Sequence, residues 1–431
     1  DFTEPPARLS ELGRVHVLAL GGIGMSAVAR LLLDQGVPVS GSDAKPSRLL
    51  DELAAQGAHV TIGHDAANIS GADTVVVSSA IRDTNPELVA ARAAGLRILH
   101  RAQGLAAALG DCRIVAVAGA NGKTTTTSLL VEALQACGLA PSFAIGGELA
   151  SAATNARHTG GDIAVVEADE SDGSFVVYRP QVAIVTSVQP DHLDFYDSLE
   201  NVEAAYRAFV DTIRPGGLLV ACADDPGARR LAGVTRRHGV DVVTYGESDD
   251  ATVRLSDLDG EALSSWATVR YPIAEGSGTS EAAAGGQASL RLSIPGRHNL
   301  ANAAAAFAAA VLGLGAPPEG VLQGLAGFGG TLRRFETKGV VNGIRVVDDY
   351  GHNVGKVAAV VEAGRAYAAP GRLIVVFQPH LYSRTRDFAR DFGRGLAVAD
   401  TVIVMDIYGA REDPVAGVSG ALVADAVRAA R

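Results

Sequence analysis

Apolar and polar positions along the chain alternate in a way that divides it into three successive stretches of short strands and helices. In residues 14–110, short apolar runs recur at Val15–Leu20, Val37–Gly41, His59–Ile62, Thr74–Ser78 and Arg97–His100. Each is short enough for a strand buried on both faces, and helical spacing follows it. This predicts a doubly wound α/β unit over 1–110. The pattern restarts at Cys112–Ala118 and continues at Ile163–Glu167, Val182–Ser187, Leu218–Cys222 and Val242–Tyr245, a second unit over 111–329. Within it, the Ser/Gly/Ala/Glu-rich segment Ala274–Gln287 reads as a mobile hairpin tip that need carry no chemistry. Pro295 to Asn299 precedes an Ala-rich helix, and Phe328-Gly-Gly330 reads as a hinge. A third α/β unit over 330–431 has strands at Arg345–Asp348, Arg372–Phe377 and Thr401–Asp406, the first two predicted as neighbours in one sheet.

Two strand-to-helix turns stand out. The strand ending at Ala118 runs into Gly119-Ala-Asn-Gly122, and Lys123, Thr124 and Thr125 open a helix. Glycines let such a turn aim its N–H groups inward, and the helix start adds partial positive charge. Lys123 can then bridge phosphate oxygens, and Thr124 or Thr125 can hold Mg²⁺. Val117 stands where a strict phosphate loop has Gly. Upstream, Gly21-Gly-Ile-Gly-Met-Ser-Ala27 follows the first strand, and Gly22, Gly24 and Ala27 fit a dinucleotide-type turn. Asp43 follows the next strand, about twenty residues on, where an acid binds a ribose. Glycines that serve only packing would give the same spacing. Any ligand with a diphosphate and a ribose fits the first turn, so a chain with both turns needs an account that uses both.

Composition narrows the classes. The chain has 431 residues and a net charge of −11, which argues against a broad nucleic-acid face and confines phosphate sites to local clusters. Its three cysteines, Cys112, Cys137 and Cys222, form no CxxC pair, so neither structural zinc nor a disulfide framework is expected, and a reducing cytoplasm fits. No apolar run reaches membrane-spanning length, and residues 1–13 lack a signal-peptide core.

Chemistry-bearing residues gather where strands end. Glu167-Ala-Asp-Glu-Ser-Asp172 follows one strand, and Glu167 is a candidate Mg²⁺ ligand or part of a solvated acidic turn. Asp191-His-Leu-Asp194 follows the next, so His192 is either a ligand of a second ion or a surface histidine. Asn299 is either a helix cap or an adenine contact. Arg333 and Arg334 follow the hinge. Asp348-Asp-Tyr-Gly-His352 and Phe377-Gln-Pro-His380, with Tyr382-Ser-Arg384, end two strands of the third unit.

Taken together, these segments resemble the Mur ligase family. The resemblance rests on GGIGMSA (21–27), GANGKTTTT (119–127), VEADESDGSF (166–175), PDHLDFY (190–196), GRHNLANAAAA (296–306), RRFE (333–336), DDYGH (348–352), FQPHLYSRT (377–385) and DIYGAREDPVAGVSG (406–420). It implies three domains: a Rossmann-like UDP-sugar domain (1–110), a central P-loop ATPase domain (111–329) and a Rossmann-like C-terminal domain (330–431). The family's last domain usually continues past GVSG, so a truncated third domain is expected. The first glycine turn would grip a UDP diphosphate rather than NAD. Gly22, Ile23, Gly24, Asp43, His64, Ser79, Asn155 and His192 fall at UDP-sugar positions. Gly119, Asn121, Gly122, Lys123, Thr124, Thr125, Asn299, Arg334, Asp348 and Asp349 fall at ATP positions, and Thr124, Glu167 and His192 at metal positions. Tyr350, His352, His380 and Arg384 match the amino-acid pocket. Departures are Ala120 for a usual Thr, Ser187 and Gln189 before Pro190, Val354 for a Pro and Leu381 for a basic residue. Residues 187–216 hold no Lys, so the carbamylated lysine of related ligases has no counterpart.

DDYGH, FQPH and DIYGARE mark the branch of the family that acts on L-alanine and UDP-N-acetylmuramic acid. The resemblance therefore implies ATP- and Mg²⁺-dependent joining of these two, with two ions, in cytoplasmic peptidoglycan precursor synthesis. Lys123, His192, His352 and Arg384 would be catalytic, with His352 a base for the amine. Two rivals remain: an NAD-dependent dehydrogenase, which leaves Lys123 and its Thr run unused, and a nucleotide-sugar binding protein without catalysis.

Overall fold

The structure is a computed structural model that describes residues 2–261, 264–273, 285–332, 334–410 and 412–431. Strands β1 (Val15–Leu18), β2 (Val39–Asp43), β3 (His59–Ile62), β4 (Thr74–Val77) and β5 (Arg97–His100) form a parallel sheet in the order β3-β2-β1-β4-β5. Every residue of β1 is buried, as expected for the central strand of a sheet covered on both faces. The order reverses between β1 and β4, which opens a crevice at the carboxyl ends of these strands.

A second, ten-stranded sheet follows. Its strands are β6 (Arg113–Ala118), β7 (Ser142–Leu149), β8 (Thr154–Arg157), β9 (Ile163–Glu167), β10 (Val182–Val185), β11 (Leu218–Cys222), β12 (Asp241–Gly246), β13 (Val253–Glu261), β14 (Ser264–Tyr271) and β15 (Gly286–Leu292). They lie in the order β15-β14-β13-β12-β11-β10-β6-β9-β7-β8. The strands read from apolar runs are its parallel centre. The edges went unread: β7 pairs antiparallel with β8, and the span from 250 to 294 supplies three strands. Most of the Ala274–Gln287 tip lies outside the described residues.

The chain divides into two compact units, one holding Asp1–Ser256, Thr268–Leu290 and Ala301–Thr331, the other Asp257–Ala267, Arg291–Leu300 and Leu332–Arg431. In the second unit β16 (Glu336–Val341) and β17 (Ile344–Asp348) form an antiparallel hairpin, and β18 (Ile374–Phe377) pairs in parallel with β19 (Thr401–Val404). This corrects the expectation that the strands ending at Asp348 and Phe377 neighbour each other in one sheet. They belong to separate two-stranded sheets. The cause is the turn Asn342-Gly343, both residues at positive φ, which folds the strand ending at Asp348 back on its predecessor. Val357, Val361, Phe377, Phe392, Leu396, Val423 and Val427 form this unit's core between β18 and helices Val354–Ala368, Tyr382–Leu396 and Gly420–Ala430. Among the described residues no helix is long and apolar enough to cross a membrane.

Candidate active site

In the first unit, the ends of β1 and β2 meet at the upstream glycine turn. The Gly21 N–H donates to Asp43 Oδ2 at 2.9 Å, and helix Ile23–Asp34 starts at Gly22 with no side chain capping it. Its first-turn N–H groups therefore remain available for an anion. The fully buried Asn155, from β8, donates to the Ile23 carbonyl at 2.6 Å and to Ser26 Oγ at 3.2 Å. Gly22, Ile23, Gly24, Asp43 and Asn155 are thus brought together. Ser79, after β4, donates to Asp172 Oδ2 at 3.1 Å, tying this crevice to the acidic segment after β9.

His64 is engaged differently. Its Nδ1 lies 3.1 Å from Ser42 Oγ and 3.3 Å from Glu87 Oε2. Glu87 is fully buried and also accepts from Ser42 at 2.6 Å and Asn68 at 2.5 Å. Burial alone would raise this carboxyl, but His16, 3.7 Å away, and the bonds from Ser42 and Asn68 prevail and hold it down at about 2.

The phosphate-type turn is set by β6 and by the chain leaving β10. Gly119 has φ +139, and a Cβ there would overlap Thr186 Oγ1. At Gly122, φ +84, a Cβ would sit 2.4 Å from Asn302 Oδ1. Ser187, one of the departures noted above, has a structural use: its hydroxyl accepts the Asn121 N–H at 3.2 Å. Gln189 Oε1 accepts from the Asn121 amide at 3.1 Å.

Lys123 folds back over this turn. Its ammonium donates to the Gly119 carbonyl at 2.7 Å and to both Glu170 oxygens at 2.9 and 2.8 Å. Burial opposes its charge, but Glu170, Asp169 and Glu167 outweigh burial and raise its pKa. One ammonium among three carboxylates cannot balance them all. Burial pushes Glu170 up, whereas Asp169, facing both Lys123 and Arg101, is held down against its own burial. The sequence reading named Glu167 alone from this segment. It missed Asp169, Glu170 and Asp172, which pair with Arg101, Lys123 and His100 at 3.3, 2.8 and 3.2 Å. The signal was present as four acids within six residues, but which neighbour each would meet depends on the fold.

Thr124 Oγ1 donates to Glu167 Oε1 at 3.0 Å, and Glu167 Oε2 accepts the Gly146 N–H at 2.7 Å. A hydroxyl and a carboxylate this close are hard oxygen donors suited to Mg²⁺, which takes few protein ligands and completes its shell with phosphate and water. They fit an ion carried in by a nucleotide. Among the described residues no group of three or more His, Cys, Asp or Glu side chains is set to hold a metal alone. His192, at φ +52, starts the short helix Leu193–Tyr196, near enough to Asp169 and Glu170 to act on both.

Asn299 lies in the second unit, in the first turn of helix Arg297–Ala308, and its amide donates to the Pro295 carbonyl at 2.7 Å. In the same unit Arg334 stacks on Tyr350, its guanidinium carbon 5.7 Å from the ring centre. Asp349, at the end of the hairpin, accepts from the Phe335 and Gly351 N–H groups at 2.9 and 2.6 Å, and burial raises its pKa. The His352 ring lies 5.2 Å from Tyr350 and 5.6 Å from His380, and His380 lies 5.7 Å from Tyr408. The two segments expected to share an edge do converge, although their strands do not pair. Tyr408, within DIYGARE, was not singled out from sequence. Arg384 lies in the first turn of helix Tyr382–Leu396. Burial first, then Lys356, Arg384 and His380, push His352 down to about 3, so its ring is neutral near pH 7.

Comparison with known proteins agrees with this architecture along the chain. Residues 14–111 match the Mur ligase family catalytic domain, 117–310 the Mur ligase middle domain and 333–431 the Mur ligase glutamate ligase domain. A UDP-N-acetylmuramate–L-alanine ligase of Kineococcus radiotolerans is 54% identical over 422 residues, 97% of this chain and 87% of that protein. Its namesake from Saccharopolyspora erythraea is 51% identical over 421 residues, 96% and 84% of the two chains. Among solved structures, a UDP-N-acetylmuramate-alanine ligase from Thermotoga maritima superposes with a TM-score of 0.79 at 28% identity, covering 96% of this chain and 88% of that one. With relatives this similar over nearly the whole chain, and three successive domain matches, the protein belongs to the Mur ligase family.

Proposed function

We propose that this protein joins L-alanine to the lactyl carboxylate of UDP-N-acetylmuramic acid, splitting ATP to ADP and phosphate, in cytoplasmic peptidoglycan precursor synthesis. The observation that carries the reading is Lys123, held over a glycine turn beside the Thr124–Glu167 pair, in a unit that also contains a second glycine turn. Two phosphate-type sites in one chain suit a reaction between a nucleotide sugar and ATP. The names of the relatives support the choice of sugar and amino acid. Segment 1–110 takes the UDP-sugar, 111–329 takes ATP, and 330–431 supplies the alanine pocket and further ATP contacts through Arg334, Asp348 and Asp349.

A carboxylate is a poor electrophile. In this mechanism the sugar's carboxylate oxygen attacks the γ-phosphorus in line, ADP leaves, and an acyl phosphate forms. Lys123 exchanges its Glu170 partner for phosphate oxygens and offsets the charge that develops there. Thr124 and Glu167 would hold Mg²⁺, and His192 a second ion. Such ions neutralise and align phosphate oxygens. The alanine amine then attacks the acyl carbon, and the tetrahedral intermediate expels phosphate. Arg384 pairs with the alanine carboxylate. A histidine held near 3 takes up a proton only weakly, so His352 acts first as a neutral contact for alanine, and serves as a base only where the bound carboxylate raises it.

Phosphate release with ATP, Mg²⁺ and UDP-N-acetylmuramate, with and without L-alanine, tests this reading. Alanine-dependent release supports it. Binding of the UDP-sugar without any release would leave a binding protein, and NAD binding in place of the UDP-sugar would restore the dehydrogenase.

A further inference from the structure

We propose that Arg101 is the cation that holds the diphosphate of the nucleotide sugar at the first glycine turn. The proposal rests on the functional reading above and adds a residue to it. A diphosphate brings at least two negative charges. The start of helix Ile23–Asp34 offers only about half a positive charge. Asp43 already takes the Gly21 N–H and adds a negative charge of its own. Residues 19–27 contain no Lys or Arg. A cation from elsewhere in the fold would offset more of that charge.

Arg101 is the first residue of helix Arg101–Ala108, directly after β5 at the carboxyl edge of the sheet. A Cβ on Gly24 would lie 2.7 Å from its Cδ and 2.8 Å from its Nη1, so the guanidinium can rest on the turn only because residue 24 is Gly. Its Nη2 donates to Asp169 at 3.3 Å, while Nε is buried with no hydrogen-bond partner. The Nη1 edge lies on a turn suited to phosphate, and with Nη2 bonded to Asp169 the guanidinium keeps further donors for an anion. Asp169 holds the other side of the fork in place.

Titration calorimetry of the full chain with UDP and with uridine tests the proposal. Arg101→Gln is expected to weaken UDP about 10- to 100-fold, as for a lost bond to a charged group. Uridine affinity, and ATP affinity measured separately, should stay within about twofold. Arg101→Lys keeps the charge but not the fork, and should fall between. Asp169→Asn separates this role from a purely structural ion pair: it should leave UDP binding intact or tighter, whereas a structural pair would make it behave like Arg101→Gln. Equal losses for UDP and uridine, or no loss for either, overturn the proposal. A wild-type chain that binds neither UDP nor the UDP-sugar overturns the reading of the first turn itself.

Discussion

Replacing Lys123 by Met tests the phosphate turn most directly, provided that stability and catalysis are separated. The Lys123 ammonium and the Glu170 carboxylate are 2.8 Å apart, with side chains only 11% and 3% exposed. Removing one partner of a buried pair costs about 3–5 kcal/mol. Because burial and Asp169 already push Glu170 up, its charge is more easily given up than that of an unshifted carboxylate, and the lower end applies. Loss of the bond to the Gly119 carbonyl adds about 1 kcal/mol. For a unit of this size each kcal/mol lowers Tm by about 2–4 °C or less. Lys123→Met should therefore melt several degrees lower and lose roughly 100-fold or more in turnover. The double change Lys123→Met with Glu170→Gln removes both charges and should regain most of the lost Tm, because no carboxylate is left stranded. It should regain no turnover. Circular dichroism melts and phosphate release read the two quantities independently. If turnover returned with stability in the double variant, Lys123 would be a structural cation and the assignment of this turn would fail.

Further expectations concern the other groups. Arg384→Lys should raise KM for L-alanine by a factor matching about 1–3 kcal/mol while leaving KM for ATP nearly unchanged; weaker ATP with unaltered alanine would move Arg384 to the nucleotide site. His192→Ala should raise the Mg²⁺ concentration for half-maximal activity more than it changes ATP affinity, and an unaltered Mg²⁺ dependence would make His192 structural. Unfolding monitored in urea should show stability falling as pH drops from about 6.5 toward 3, because His352 charges in the unfolded chain near 6.5 but in the folded one only near 3. His298, also lowered by burial, acts in the same sense. For His352 each pH unit in that window costs up to about 1.4 kcal/mol, and His352→Asn should flatten the slope. An unchanged slope would show that His352 is not held neutral.

Much of the first sheet and of the centre of the second could be read from the chain, because strands buried on both faces appear as uninterrupted apolar runs. β9 and β11 begin and end where those runs do, and the partly exposed edge strands β3 and β5 keep the read bounds although they mix polar and apolar residues. The edges were harder. β7 and β8 mix glycine and polar residues with apolar ones, since one side of an antiparallel edge need not be apolar. In β16 and β17 the Asn342-Gly343 turn is a local hairpin signal that outweighs the α/β rhythm around it. The glycine turns, Lys123, Thr124 and Glu167 were legible as candidates because a glycine turn opening a helix, and an acid at a strand end, are contiguous in the chain. Arg101, Glu170 and Asp172 were not, because their partners lie 47 to 93 residues away.

The segment after β9 gives these scattered contacts a common logic. In one short acidic run Glu167 meets Thr124, Asp169 meets Arg101, Glu170 meets Lys123, and Asp172 meets Ser79 and His100. Two of these carboxylates thus sit on the cations that phosphate would occupy, one at each glycine turn. An unpaired Lys123 in so buried a place would cost several kcal/mol, so Glu170 keeps it charged and in position, and Asp169 does the same more weakly for the partly exposed Arg101. A bound phosphate must displace a carboxylate that is itself crowded by like charge. Glu170, raised by burial and by Asp169, is the easier one to displace, because its charge is the less favoured of the two. Asp169 bonds Arg101 and is held down by the charges of both Lys123 and Arg101. Its position lets the charge at one turn bear on the other through a single carboxylate.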